Sequence, residues 1–166
     1  MRPVRGGPPI RRELKILIAI AAAIAIVDQI TKAAVLARLF FTESVSVIPG
    51  LFNLVHYRNP GAAFSILSSG GTGRTVFLLT TSIVALIIIG FIARQARGGL
   101  QGAALGLIAG GALGNLVDRV RFGYVVDFLD FYIGGYHWPA FNVADSAITT
   151  GAILAVFAFY VKTSDS

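Results

Sequence analysis

The ionisable and amide side chains of this sequence fall in short clusters inside or beside apolar runs. Asp28 and Lys32 lie four apart in VDQITK, on one helix face and in the order that favours an ion pair. Asn115, Asp118 and Arg119 stand at i, i+3 and i+4 in GGALGNLVDR, again on one face. Asp127 is set among Val125, Val126 and Phe128 in GYVVDFLDF, an apolar surrounding that raises a carboxyl pKa, as a general acid requires. Asp130 reads as its less enclosed neighbour, a solvated loop residue. Asn142 and Asp145 are three apart in WPAFNVADSAI, and Asn59 precedes Pro60-Gly61, a turn signal.

Several chemistries are excluded. Without cysteine there are no disulfides, thiolate metal sites, iron–sulfur clusters or cysteine nucleophiles. His56 and His137 are the two histidines, in separate segments, and neither has an obvious nucleophile and acid partner. No zinc-binding helix motif and no phosphate loop ending in Lys-Ser or Lys-Thr occurs. A pair of carboxylates remains as the natural catalytic unit. Held close together they cannot both ionise, so they share a proton; one activates water while the other protonates. Each cluster also has a structural use. Asp28–Lys32 serves as an internal ion pair, and Asp118–Arg119 as a self-contained pair at a polar helix end. Asn142 serves as a helix N-cap with Asp145 in the first turn, which is compatible with chemistry because a cap fixes a side chain in place.

The elements that carry these groups belong to a membrane. The 166 residues are 55% hydrophobic and only 13% charged, against about 25% charged in soluble domains, and the mean hydropathy is +0.77. An ionisable group in hydrocarbon costs about 2.5–3.5 kcal/mol on insertion scales, which makes each of the clustered groups a functional candidate. Apolar runs of spanning length occur at about 14–37, 76–93, 100–117 and 143–161. They define a single four-helix domain over 14–161, with a basic tail 1–13 and a short tail 162–166. The first run continues too far past Gln29 for a cleaved signal peptide and reads as a helix.

Five basic residues in the first fifteen positions, Arg94 and Arg97 in the short turn, and Lys162 fall on one side of this layout. That side is expected to be cytoplasmic, with both termini there and the two longer connections outside. Val45, Val47 and the stretch 51–57 read as strand-like pieces, so the expected fold is an all-α membrane protein with a small extracytoplasmic β-containing loop region. The candidates Asp28, Asn59, Asn115, Arg119, Asp127, Asn142 and Asp145 then converge on the outer boundary. Gly102, Gly106, Gly110 and Gly114 form a bare stripe every four residues, suited to close helix packing.

Four blocks in order, VDQITK (27–32), RNPGAAFS (58–65), GGALGNLVDRV with GYVVDF (110–128) and FNVADSAI (141–148), closely resemble the lipoprotein signal peptidases (signal peptidase II) of bacteria. With the four-span layout the resemblance covers about residues 14 to 161. It implies a membrane aspartic endopeptidase of the bacterial cytoplasmic (inner) membrane. Its substrate is a diacylglyceryl-modified prolipoprotein, cut on the amino side of the lipidated cysteine. By similarity Asp127 and Asp145 are the catalytic pair, and Asp28, Lys32, Asn59, Asn115, Asp118, Arg119 and Asn142 are the supporting and substrate-positioning set. Asp118 also belongs to the family pattern, and the apolar neighbours of Asp127 favour Asp127 over it. Neither metal nor organic cofactor is called for. Globomycin-type cyclic peptides are expected inhibitors, membrane lipids the expected surroundings, nucleic acid is not a partner, and a monomer is expected to suffice. The departure from the family pattern is the basic extension 2–12, which suits anionic headgroups. Two other classes remain beside the peptidase: a small proton or ion transporter, which ordinarily binds near the bilayer midplane, and a non-catalytic lipid-binding subunit.

Overall fold

Helices and strands alternate in the computed structural model, which describes residues 11–61 and 72–164. Residues 62–71, within the RNPGAAFS block and beyond it, and most of the basic tail lie outside the described residues. The order is α1 (Arg12–Arg38), β1 (Ser44–Ile48), β2 (Phe52–Asn59), α2 (Thr72–Ala93), α3 (Gly99–Phe122), β3 (Val125–Ile133), β4 (Tyr136–His137) and α4 (Val143–Ser164). α1, α3 and the Val76–Ala93 part of α2 are long and apolar enough to cross a membrane, while the described apolar stretch of α4, Val143–Ala158, is shorter. Ile26, Ile30, Ile87, Ile88, Ile153 and Val156 are exposed along the helices, the outward apolar surface that lipid requires.

The glycine stripe positions the helices as its spacing predicts. A Cβ on Gly102, Gly106 or Gly110 would meet the backbone carbonyl oxygens of Glu13, Leu17 or Ala21 at 2.6, 2.9 and 2.7 Å. Both sets of numbers rise together, so α1 and α3 run in the same direction. Gly151 packs on Ala104 while Gly111 packs on Ala144, so α4 runs antiparallel to α3. Consequently the C-terminal ends of α1 and α3 and the N-terminal end of α4 lie at one end of the bundle.

That end is covered by an antiparallel sheet of order β1-β2-β3-β4. The strand-like pieces in the first long connection form β1 and β2. β3, in a segment whose chemistry was legible but whose strand was not, pairs Asn59 with Val125, Arg58 with Val126 and Tyr57 with Asp127. Asp127 and Asp130 are three apart, which breaks the period-two alternation that announces a half-buried strand. Val35, Val126 and Phe128 form a small core that fixes the sheet on the end of α1.

Helix ends also differ from the apolar runs. α3 continues five residues beyond the run ending at 117, through Asp118, Arg119 and Arg121; arginine is a good helix former, and the two arginines complement the C-terminal carbonyls of the helix. It stops at Gly123, whose φ of 76° supplies the left-handed cap and whose N–H bonds the Arg119 carbonyl at 3.0 Å.

Candidate active site

The site is built outward from Lys32. This ammonium is 2% exposed, and its three N–H groups meet three acceptors: Asp28 Oδ2 at 2.8 Å, Asp118 Oδ2 at 2.9 Å and Asn115 Oδ1 at 3.0 Å. Both carboxylates accept backbone N–H groups as well. Asp28 Oδ1 accepts the Ala144 backbone N–H of α4 at 2.9 Å. Asp118 Oδ2 accepts the Val126 N–H of β3 at 3.0 Å. One buried cation with two anions thereby joins α1, α3, α4 and the sheet. Buried charge is tolerated here because each donor and acceptor is satisfied.

Asp118 and Arg119 do not form the self-contained pair that their adjacency suggests. Successive residues on a helix point about 100° apart, so Asp118 turns into the bundle toward Lys32. Arg119 turns toward α2, where Nη1 donates to Ser82 Oγ at 3.3 Å and the guanidinium faces the charges of Asp145, Asp118 and Asp127. Thr31, in the VDQITK block, bonds back to the Val27 and Asp28 carbonyls of its own helix and takes no part.

Asn115 and Asn142 connect this cluster to Asp127 and Asp145. Asn115 receives Lys32 on its oxygen and donates Nδ2 to Asp145 Oδ1 at 2.8 Å. Asn142, fully buried, donates Nδ2 to Asp127 Oδ1 at 2.8 Å and to Asn115 Oδ1 at 3.3 Å. Its own oxygen accepts the Asp145 N–H at 2.9 Å, the N-cap bond expected of Asn at that position. Asp127 and Asp145 are thus held at the two ends of a bridge of two buried amides.

Asp127 is 2% exposed. Burial pushes its carboxyl up to about 6, helped by the charge of Asp145 and opposed by hydrogen bonds from Asn59 and Asn142 and by Lys32. Asn59, at the end of β2, therefore reaches the site, and its Oδ1 also closes the turn on Gly61 N–H at 2.9 Å. Asp145 borders a groove of about 480 Å³ lined by Trp138, Phe141, Ser146, Thr149 and Thr150 among others. All nine candidates, Asp28, Lys32, Asn59, Asn115, Asp118, Arg119, Asp127, Asn142 and Asp145, gather at one end of the bundle.

Gln29 belongs with them and was not singled out from the sequence. Its Nε2 donates to Asp118 Oδ1 at 2.9 Å and to the Gly114 carbonyl at 3.2 Å. A polar residue beside Asp28 in an apolar run was the available signal. Asp130 is a correction in the other direction. It is 4% exposed, not solvated, because the strand turns it onto Asn53, whose Nδ2 donates at 2.9 Å, and onto His137 Nδ1 at 2.8 Å. These contacts are separate from the amide bridge.

The family profile described as Signal peptidase (SPase) II matches residues 20–161. The lipoprotein signal peptidase of Desulforapulum autotrophicum is 48% identical over 149 residues, covering 88% of this chain and 92% of that one. That of Geobacter sulfurreducens is 51% identical over 134 residues, covering 79% and 83%. Among solved structures, a bacterial membrane enzyme determined by the in meso method at 2.3 Å resolution superposes with a TM-score of 0.80 at 37% identity, over 92% of each chain. A second, at 1.9 Å resolution, gives 0.78 at 36% identity, over 88% of this chain and 93% of that one.

Proposed function

The chain belongs to the signal peptidase II family, a bacterial multi-span membrane aspartic endopeptidase acting on prolipoproteins, and on that premise we propose that Asp127 and Asp145 are its catalytic pair. The family sets aside the transporter and the non-catalytic subunit. The observation that carries the assignment is the distribution of partners among the aspartates. Asp28 and Asp118 are held by Lys32 and by backbone N–H groups, which suits permanently ionised scaffolding. Among the described residues Asp127 and Asp145 form no ion pair and are held by amides instead, Asp127 by Asn142 and Asn59 and Asp145 by Asn115.

Such a pair shares one proton. Burial of Asp127 marks it as the member that holds the proton. In this reading Asp145, beside the groove, draws a proton from water as the water attacks the scissile carbonyl. Protonated Asp127 stabilises the developing oxyanion and then protonates the leaving amine. Arg119 and Asn59 position the peptide backbone around the scissile bond.

The substrate is a prolipoprotein carrying a diacylglyceryl cysteine, cut on the amino side of that cysteine. The signal-peptide helix arrives laterally, and its acyl chains stay in the bilayer. Both termini are cytoplasmic and the site lies near the outer face, as the basic residues at the opposite end of the bundle support. Globomycin-type cyclic peptides occupy the space beside the pair. The active form in this reading is a monomer. The test is a gel shift for signal-peptide loss from lipidated prolipoprotein by purified enzyme. Wild type should cleave, and Asp127→Asn and Asp145→Asn should not while remaining folded.

A further inference from the structure

At the same end of the bundle, away from the amide bridge, a run of rings and guanidinium groups crosses from the sheet to α3. Arg58 Cζ lies 4.5 Å from the Phe41 ring centroid and 5.1 Å from that of Tyr124. Tyr124 stacks on Phe122 with centroids 5.7 Å apart, and Arg121 Cζ lies 4.9 Å from the Phe122 centroid. Both arginines are exposed. Among the described residues, neither forms an ion pair with a carboxylate, and the one side-chain acceptor for either is Gln29 Oε1, 3.4 Å from Arg121.

Carboxylates are plentiful here, and they are engaged elsewhere. Asp28 and Asp118 surround Lys32, and Asp130 holds Asn53 and His137. Glu43 accepts the Phe40 N–H at 2.6 Å, and Asp127 and Asp145 accept the two bridging amides. Arg58 and Arg121 are therefore left without a carboxylate partner among the described residues. Arg121 also complements the C-terminal carbonyls of α3, but Arg58 is on a strand and has no such use. A guanidinium seated over a ring is held in place by the ring while its N–H groups can still meet an oxyanion, which they bind in bidentate fashion. Phe41 within the array and Phe40 beside it in the chain are 52% and 85% exposed, an outward apolar surface next to the cations.

We propose that Arg58, held by Phe41 and Tyr124, and Arg121, held by Phe122, bind phosphate groups of anionic phospholipids at this membrane boundary and so seat the sheet on the bilayer. The diacylglyceryl group on the substrate cysteine carries no phosphate, so this ligand is distinct from the substrate, and the proposal stands apart from the assignment of the catalytic pair.

The test titrates full-length enzyme in mixed micelles with phosphatidylglycerol, phosphatidylcholine or inorganic phosphate, counting bound molecules by native mass spectrometry. Wild type should retain phosphatidylglycerol over phosphatidylcholine, and free phosphate should not displace it. Arg58→Gln and Arg121→Gln should each weaken retention about fivefold. Phe41→Ala should weaken it with both arginines present. Cleavage of lipidated prolipoprotein in detergent should stay within about twofold of wild type for Arg58→Gln, which separates this result from any failure of the catalytic assignment. Equal retention by Arg58→Gln and wild type, or indifference to headgroup charge, overturns the proposal. So does displacement by free phosphate. A raised KM for prolipoprotein with unchanged lipid retention would assign the array to the peptide substrate instead.

Discussion

Lys32 Nζ lies 3.0 Å from Asn115 Oδ1, so the buried ammonium acts on Asp145 through an amide and not by direct contact. With its oxygen held by the cation, the Asn115 amide has one orientation, and its N–H is aimed at Asp145. The charge cluster that joins the helices and the bridge that orients the proposed catalytic pair therefore share a residue. Stability and geometry at this site are coupled.

Removing the cation should be costly. Lys32→Met leaves Asp28 and Asp118 buried without their ammonium, and an uncompensated buried charge costs about 3–5 kcal/mol. A large drop in Tm in detergent, with cleavage lost, is the expected outcome. A Tm unchanged from wild type would mean that the cluster does not hold the bundle end together.

Asp127 should make the protein less stable above acidic pH. An unfolded carboxyl titrates near 3.8 and the folded one near about 6, raised by burial. Between those values the folded chain keeps a proton that the unfolded chain has released. Stability accordingly falls as pH rises through this window and stays lower above it. Two units correspond to about 3 kcal/mol. Asp127→Asn removes the titration while keeping an oxygen for the Asn142 amide, so its melting curves should flatten across pH 4 to 7 and lie above wild type near pH 7. A wild-type pH slope in the variant would contradict the origin of the shift.

Asn142 has two separable duties. Asn142→Ala loses the N-cap of α4, about 1 kcal/mol, together with the donor to Asp127. Asn142→Ser restores a capping oxygen but no amide to span toward Asp127. The serine variant should melt close to wild type yet cleave about a hundredfold more slowly, the scale expected of a misplaced catalytic group. Recovery of activity along with Tm would show that capping is the whole role.

The end of the glycine stripe should be the least tolerant of a side chain. A Cβ on Gly114 would lie 2.5 Å from Asp28 Oδ2, and Asp28 holds both Lys32 and the start of α4. Gly114→Ala should cost about 1–3 kcal/mol by overpacking and reduce cleavage with it. Gly90→Ala on α2 meets nothing within 4 Å and should leave Tm unchanged or slightly raised. Equal effects at the two positions would remove the stripe from the account.

Much of this site was legible because charge is expensive in an apolar chain. Asp28 with Lys32, Asn115 with Asp118, and Asn142 with Asp145 announce themselves by their surroundings and by helical spacing. Partner choice was less legible. Asp118 adjoins Arg119 in sequence, yet side chains on adjacent helical positions diverge, and Lys32, 86 positions away in the chain, is its cation. β3 was hidden because its aspartates at 127 and 130 are one face apart on a strand. Asp130 looked solvated because its partners, Asn53 and His137, come from two other strands. Helix neighbours can be read from local spacing; strand pairing across 77 residues, as between Asn53 and Asp130, cannot.

The central claim is that the two aspartates at the ends of the amide bridge perform the cleavage. It is tested most directly by single-turnover cleavage of diacylglyceryl-modified prolipoprotein by folded wild type, Asp127→Asn, Asp145→Asn, Asp118→Asn and Asp130→Asn. The account predicts losses of about 10²–10⁴ or more for Asp127→Asn and Asp145→Asn, with their Tm retained. Asp118→Asn and Asp130→Asn should lose stability but keep measurable cleavage in the folded fraction. Wild-type cleavage by Asp127→Asn or Asp145→Asn would contradict it.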